Sequence, residues 1–392
     1  MKIGRFVAAC ATLWFALCCA APAAEVAGIQ FNGSGFLTAA AGKVLGGTHD
    51  PETDLGWNCP CYISDFSRGG VYESGRVRVG PDSRLGLQGT ASVADGRYSL
   101  TAQVVSRGAA NGKGNLEWLY ATANLTSTWT VQVGRKRLPL LAYSEVQDVG
   151  FAYPWINLPP QLYGWDTVNF NGVSVLHRDR YGDWFAGLNL FAGRETVRDS
   201  RYWKLYNGKH SRTDTRWSNI GGAELKLSRD WFEARVVHIR TDVQQRNFGP
   251  EAGEANAGGG GVGAFGDRYR EYISGVSMSA DWRNLIGRTE WLYINRTQER
   301  DVGASDSARM HAIGYRIGSF LPMLTYSRYK EKLVVPGGDE GHRTWSFLLR
   351  YDINPSSAVK IQYADWRDKS KPGYESPRGN ARLLAVSYDR VF

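Results

Sequence analysis

Histidines, cysteines and clustered carboxylates are where chemistry would show first, and in this chain they are dispersed. The six histidines, His49, His177, His210, His238, His311 and His342, fall on separate stretches of 392 residues. Neither His-Glu-x-x-His nor Gly-x-Ser-x-Gly occurs, so no helical zinc site or nucleophile elbow is encoded. His177 or His311 could pair with a serine, but no serine stands in a nucleophile's context, and the chain is expected not to be an enzyme. The glycines at 258–261, with Gly263, lack the Lys-Ser/Thr of a phosphate-binding loop and read as a flexible surface segment. Cys10, Cys18 and Cys19 lie near the N-terminus, leaving Cys59-Pro60-Cys61 as the remaining pair. In an oxidising compartment Cys59 and Cys61 are expected to form a local disulfide pinning a loop tip. The alternatives are a metal site completed by His49 and a redox-active dithiol. No cofactor is implied.

The elements that would position any site are strands. In the last thirteen residues Leu384, Val386, Tyr388 and Phe392 share one parity, while Ser387 and Asp389 take the other. That is a strand with one apolar face. Left bare, it would be a sticky edge; a closed barrel removes the edge by pairing last strand with first. Sixteen strands are expected near 29–43, 83–92, 97–107, 116–126, 129–138, 168–178, 183–194, 217–228, 231–242, 270–282, 285–297, 308–318, 320–332, 344–354, 357–368 and 380–392. Short Gly/Asn/Asp/Pro turns follow the even strands and long polar loops follow the odd ones, the asymmetry of an outer-membrane barrel. Trp129, Trp184, Trp231, Trp282 and Phe320 gather at the short turns, with Phe392 at the same level, as in an aromatic girdle. The all-β expectation is therefore a single sixteen-stranded antiparallel transmembrane β-barrel; a soluble sandwich with tryptophans in its core is the alternative.

The N-terminus agrees. Lys2 and Arg5 precede an apolar run, and Ala21-Pro22-Ala23 offers small residues for signal peptidase. Residues 1–23 are expected to be a signal peptide and 24–392 one barrel domain. Removing Lys2 and Arg5 lowers the formal net charge from +9 to +7. An exported barrel has no nucleic-acid partner, so lipopolysaccharide phosphates and anionic solutes are the expected counterparts of that charge.

Strand number, loop rhythm, export signal and terminal Phe392 together resemble the sixteen-stranded general porins of Gram-negative outer membranes. The resemblance spans the mature chain and is architectural. It implies an inward-folded third long loop that narrows the channel, a homotrimer, and recognition of the last strand by the outer-membrane assembly machinery. Here that loop is 139–166, with Tyr143, Phe151, Tyr153, Trp155, Tyr163 and Trp165 for bulk and Pro154, Pro159 and Pro160 for stiffness. Its acids, Glu145 and Asp148, are expected to face basic residues of inward parity: Arg84, Arg107, Lys226, Arg316, Arg350 and Lys360. Arg135, Lys136 and Arg137 end the strand that feeds the loop. The function implied is passive diffusion of small hydrophilic solutes and ions with mild anion preference. The alternative is a plugged barrel acting as adhesin or receptor.

Overall fold

The computed structural model describes residues 24–49, 55–248, 264–297, 303–333, 339–372 and 379–392. The expected signal peptide (1–23) and the glycine run (258–263) lie outside the described residues. Sixteen barrel strands follow one another: β1 (Ile29–Thr48), β2 (Arg84–Val93), β3 (Tyr98–Arg107), β4 (Gly114–Asn124), β5 (Trp129–Arg137), β6 (Asn169–Tyr181), β7 (Trp184–Val197) and β8 (Arg212–Arg229). The second half comprises β9 (Phe232–Phe248), β10 (Tyr269–Trp282), β11 (Leu285–Thr297), β12 (Ala304–Tyr315), β13 (Phe320–Leu333), β14 (Gly341–Asn354), β15 (Ser357–Asp368) and β16 (Asn380–Val391). Each pairs antiparallel with its neighbours, and β16 pairs with β1 from Asn380 opposite Thr48 to Val391 opposite Phe36. The sheet is closed.

The seam shows how closure is secured. Phe392 and Gly35 exchange two backbone hydrogen bonds, of 2.7 and 2.9 Å. The phenyl ring lies where any Cβ at position 35 would sit, so the position requires glycine.

Alternation sets the two faces. Leu87, Leu225, Ile313, Phe347, Ile361 and Val386 are exposed on the outside, while Thr325, Gln362 and Ser387 on the other parity are buried. A continuous exposed apolar band is unfavourable in water and belongs against lipid. Trp129, Trp231, Trp282 and Phe320 are exposed at the short-turn end of that band, at the level where aromatic side chains anchor a barrel at the interface.

β8 begins at Arg212, before the expected 217, and β9 runs to Phe248, past the expected 242. The added rungs pair Arg212 with Phe248 and Asp214 with Arg246. These rungs extend beyond the apolar band, where a strand need not alternate, so their polar sequence carries no strand signal. The segment between β7 and β8 holds a short helix, Arg201–Asn207.

The inward face has two halves. From β9 to β14 it is largely apolar: Ile239, Ile273, Leu292, Met310, Met323 and Leu348 are all buried. Leu138, Leu141, Trp155, Leu158 and Leu162 of the segment after β5 complete the same cluster. From β2 to β5 the inward side chains are mostly polar, as in the pairs Gln103–Gln88 (3.0 Å) and Thr90–Thr101 (3.1 Å), while Phe170, Phe191, Trp217 and Ile220 on β6 to β8 carry the apolar cluster further round the wall. The segment following β5 leans on the apolar half because only there can its aromatic bulk leave water.

Candidate functional site

The 138–168 segment crosses to the β10–β16 wall and is tied to it along its length. Ala142 N–H donates to Glu290 Oε1 (3.1 Å), and Tyr163 Oη donates to the same carboxylate at 2.7 and 2.8 Å. Trp155 Nε1 donates to Thr325 Oγ1 (2.9 Å), Ile156 N–H to Gln362 Oε1 (2.9 Å), and Gln161 Nε2 to Thr344 Oγ1 (2.8 Å). Each partner sits on the buried parity of its strand.

Lys360 is the hub of this attachment. It is fully buried, and Nζ donates toward the carbonyls of Gly150 (2.7 Å), Trp155 (2.8 Å) and Tyr153 (2.9 Å). Asp389 Oδ2 lies 3.1 Å away, and Thr38 and Ser387 hydroxyls donate to that carboxylate. A buried ammonium is tolerable only with its charge paired and its donors filled. Arg350 does the same one strand over, donating Nη1 to the carbonyls of Phe151 (2.9 Å) and Tyr153 (3.0 Å) and Nε to Asp352 (2.6 Å). Arg84 donates to the Tyr153 hydroxyl. Arg316 pairs with Asp352 at 2.7 Å, partly exposed near the short turns.

Asp148 is buried. Arg107 grips it through two parallel bonds, Nε to Oδ1 (2.7 Å) and Nη2 to Oδ2 (2.6 Å), and Arg137 donates to it as well. Glu117 joins Arg107 (2.8 Å), Arg137 (3.4 Å) and Arg68 (2.7 Å), so three guanidinium groups share two carboxylates. Bidentate pairing of this kind fixes direction as well as distance. Arg68 belongs to the segment before β2, which therefore also folds inward. Cys59 and Cys61 form a disulfide in that segment, yet not at an exposed tip: both are buried in a cluster with Tyr62, Tyr72, Ile156 and Trp366. Asp82, held by Tyr72 Oη (2.8 Å) and Asn157 Nδ2 (3.2 Å), joins the two inward segments. Burial pushes its carboxyl above the usual range, and Arg84 beside it offsets part of that rise.

The expected constriction residues therefore divide. Asp148, Arg84, Arg107, Arg137, Arg350 and Lys360 hold chain against wall, while Arg135 pairs with Glu195. Glu145 is the acid that faces water, its side chain 47% exposed, with Arg235 3.4 Å away. Between it and the β6–β9 wall lies a cavity of 380 Å³, lined by Glu145, Arg178, Asn189, Glu224, Lys226 and Arg235. Arg235 also pairs with Glu224 (3.1 Å), Lys226 with Glu233 (2.7 Å), and Arg178 is exposed. Lys136 reaches Ser174 Oγ at 3.3 Å on the same wall. Sequence reasoning missed Arg178 and Arg235; their alternation with outward Val173, Val175 and Val236 was the available signal. Among the described residues no group of three or more His, Cys, Asp or Glu side chains is placed to hold a metal ion.

No known family's sequence profile matches this chain, and no curated protein matches it in sequence. Solved structures do match. The outer-membrane channel DcaP of Acinetobacter baumannii superposes with a TM-score of 0.59 at 12% identity, covering 94% of this chain and 99% of its own. OmpT of Vibrio cholerae gives 0.58 at 8% identity, covering 94% and 100%. The anion-selective porin of Comamonas acidovorans gives 0.57 at 13% identity, covering 93% and 100%. Such identities speak to the fold alone. The chain is a closed sixteen-stranded antiparallel β-barrel with the fold of these outer-membrane proteins.

Proposed function

We propose that the barrel passes small hydrophilic solutes and ions across the outer membrane by passive diffusion, with a mild preference for anions and no catalytic step. The observation that carries this reading is the 380 Å³ space, lined in large part by charged side chains, between Glu145 and the β6–β9 wall. Arg178, Lys226 and Arg235 balance Glu145, Asp179 and Glu224 in its lining, and Lys136 on the adjoining wall adds one further base, so the local field leans only slightly toward negative solutes. One matched structure is titled an anion-selective porin and another an outer membrane channel. The mature chain is taken to begin after residue 23 or 24 and to be folded by the machinery that reads its last strand. A homotrimer fits small outward residues such as Gly89 and Ala91, which permit close packing; a V. cholerae OmpT structure is described in trimer form.

A second reading has its own support. Two inward segments and a continuous apolar cluster fill much of the lumen, which suits a plugged adhesin or receptor. Current through the purified protein in a planar bilayer separates the two, since a plugged barrel passes almost none.

A further inference from the structure

Phe185, on β7 just after the turn at Gly182 and Asp183, faces the lumen. Its parity is that of Asn189 and Phe191, both buried on the inner face, whereas Leu190 on the other parity is exposed on the outside. Yet Phe185 is 54% exposed, and it joins neither of the buried apolar clusters. Its neighbour across the ladder is Arg180 on β6. The Arg180 guanidinium stacks over the phenyl ring at 5.1 Å from its centroid, while Nε donates to the Gly182 carbonyl at 2.9 Å. Lipid does not cover this ring, and no packed side chain does. An apolar face left to an aqueous lumen is unfavourable, and a second flat ring is its best cover.

The 380 Å³ cavity below Glu145 reaches this ring. Two residues along β7 stands Gly187, whose neighbours across the ladder are Arg178 on β6 and Lys226 on β8. The two bases are thus two strand spacings, about 10 Å, apart. The glycine leaves the slot between them open: a Cβ there would lie 3.8 Å from Lys226 Cβ and 4.0 Å from Arg178 Cγ, ordinary contacts only. The acids around the cavity are already engaged. Glu224 and Glu145 lie 3.1 and 3.4 Å from Arg235, and Asp179 accepts the Arg180 backbone N–H at 2.7 Å. Lys226 is paired with Glu233. Arg178 is exposed and has no ion-pair partner among the described residues. An unpaired guanidinium can grip a carboxylate through two parallel bonds. We propose that this end of the cavity is a binding subsite for a carboxylate carried on a flat aromatic ring. The carboxylate sits in the Gly187 slot on Arg178, with Lys226 on its other side, and the ring stacks on Phe185. The proposal rests on the reading of a lumen open to solutes and adds which solute is held there. A small anion without a ring would leave Phe185 uncovered, and a neutral ring would leave Arg178 unpaired.

The test is isothermal titration of the full detergent-purified barrel with benzoate, acetate and benzamide, beside reversal potentials in potassium benzoate against potassium acetate. The wild-type protein should bind benzoate more tightly than either analogue and pass it in preference to acetate. F185A should weaken benzoate binding about tenfold, the loss of one ring-on-ring stack, and bring the benzoate-to-acetate permeability ratio toward one. R178Q should weaken benzoate binding too, and as a change at an exposed, unpaired residue it serves if F185A does not fold. F320A, an outward aromatic at the same end of the barrel, should leave binding intact. Equal binding of benzoate and acetate, or wild-type affinity in both F185A and R178Q, would overturn the proposal. So would benzamide binding as tightly as benzoate, which marks an apolar site without charge recognition. Benzoate binding that F185A weakens in a barrel passing no current would support this subsite and contradict the channel reading, so the two fail separately.

Discussion

At the scale of single residues, the bases that alternation aims inward serve as carbonyl and carboxylate clamps. Lys360 serves three carbonyls and Asp389 at once. Lys360→Met removes those donors and leaves Asp389 buried without its cation, a loss of about 3–5 kcal/mol where such pairs are broken. The expected outcome is a released 150–156 segment, seen as larger and noisier single-channel current and new protease cleavage there. Asp82 provides a pH handle. Its carboxyl is held above the usual range in the folded state by burial, so its contribution to docking is complete at low pH and is lost as pH rises through that raised value. Protease resistance of the 55–82 segment should accordingly fall as pH rises, and Asp82→Asn should flatten the change. Loss of resistance on acidification that is absent from Asp82→Asn would contradict this account. That Lys360 and Arg350 face inward was legible from period-two spacing. Their partners were not, because a carbonyl belongs to whichever backbone the loop's path delivers, and no side-chain pattern encodes that.

At the scale of elements, the segment after β5 is held mainly by apolar contact, with the hydrogen bonds setting its register. Trp155 is fully buried among Tyr143 (centroid distance 5.6 Å) and the apolar cluster. Trp155→Ala is expected to cost about 3–5 kcal/mol locally, lowering the temperature at which the folded barrel loses its compact mobility on gels. Prolines and aromatics made this segment recognisable as one that must pack. The apolar half of the lumen was less visible, though Trp291-Leu292-Tyr293-Ile294 is a continuous apolar run of the kind that marks a strand buried on both faces. The inward course of the 55–82 segment had no signal of its own: Tyr62, Phe66 and Tyr72 acquire meaning only once Trp366 and His342 are found opposite them (Tyr62–Trp366 centroids 6.1 Å, Phe66–His342 6.1 Å). The polar outer rungs of β8 and β9 were hidden for the opposite reason, since outside the lipid band a strand is free of the pattern that reveals it.

At the scale of the whole molecule, sixteen strands, closure through Phe392 and the outward apolar band followed from alternation and turn chemistry, because lipid demands both a closed hydrogen-bond ladder and an apolar exterior. The lumen is narrower in its chemistry than inward parity suggested: the charges around Glu145 are those not taken up in clamping the inward segments to the wall. R178Q/K226Q should shift reversal potential toward cations, whereas Glu145→Gln should shift it toward anions, each by less as salt rises, since screening acts over about 8 Å at physiological ionic strength. The most direct test is the current of the wild-type protein in a planar bilayer under a salt gradient. A steady open current with mild anion preference that fades at high salt is the predicted result. Absence of current, or a preference for cations, would contradict the channel reading.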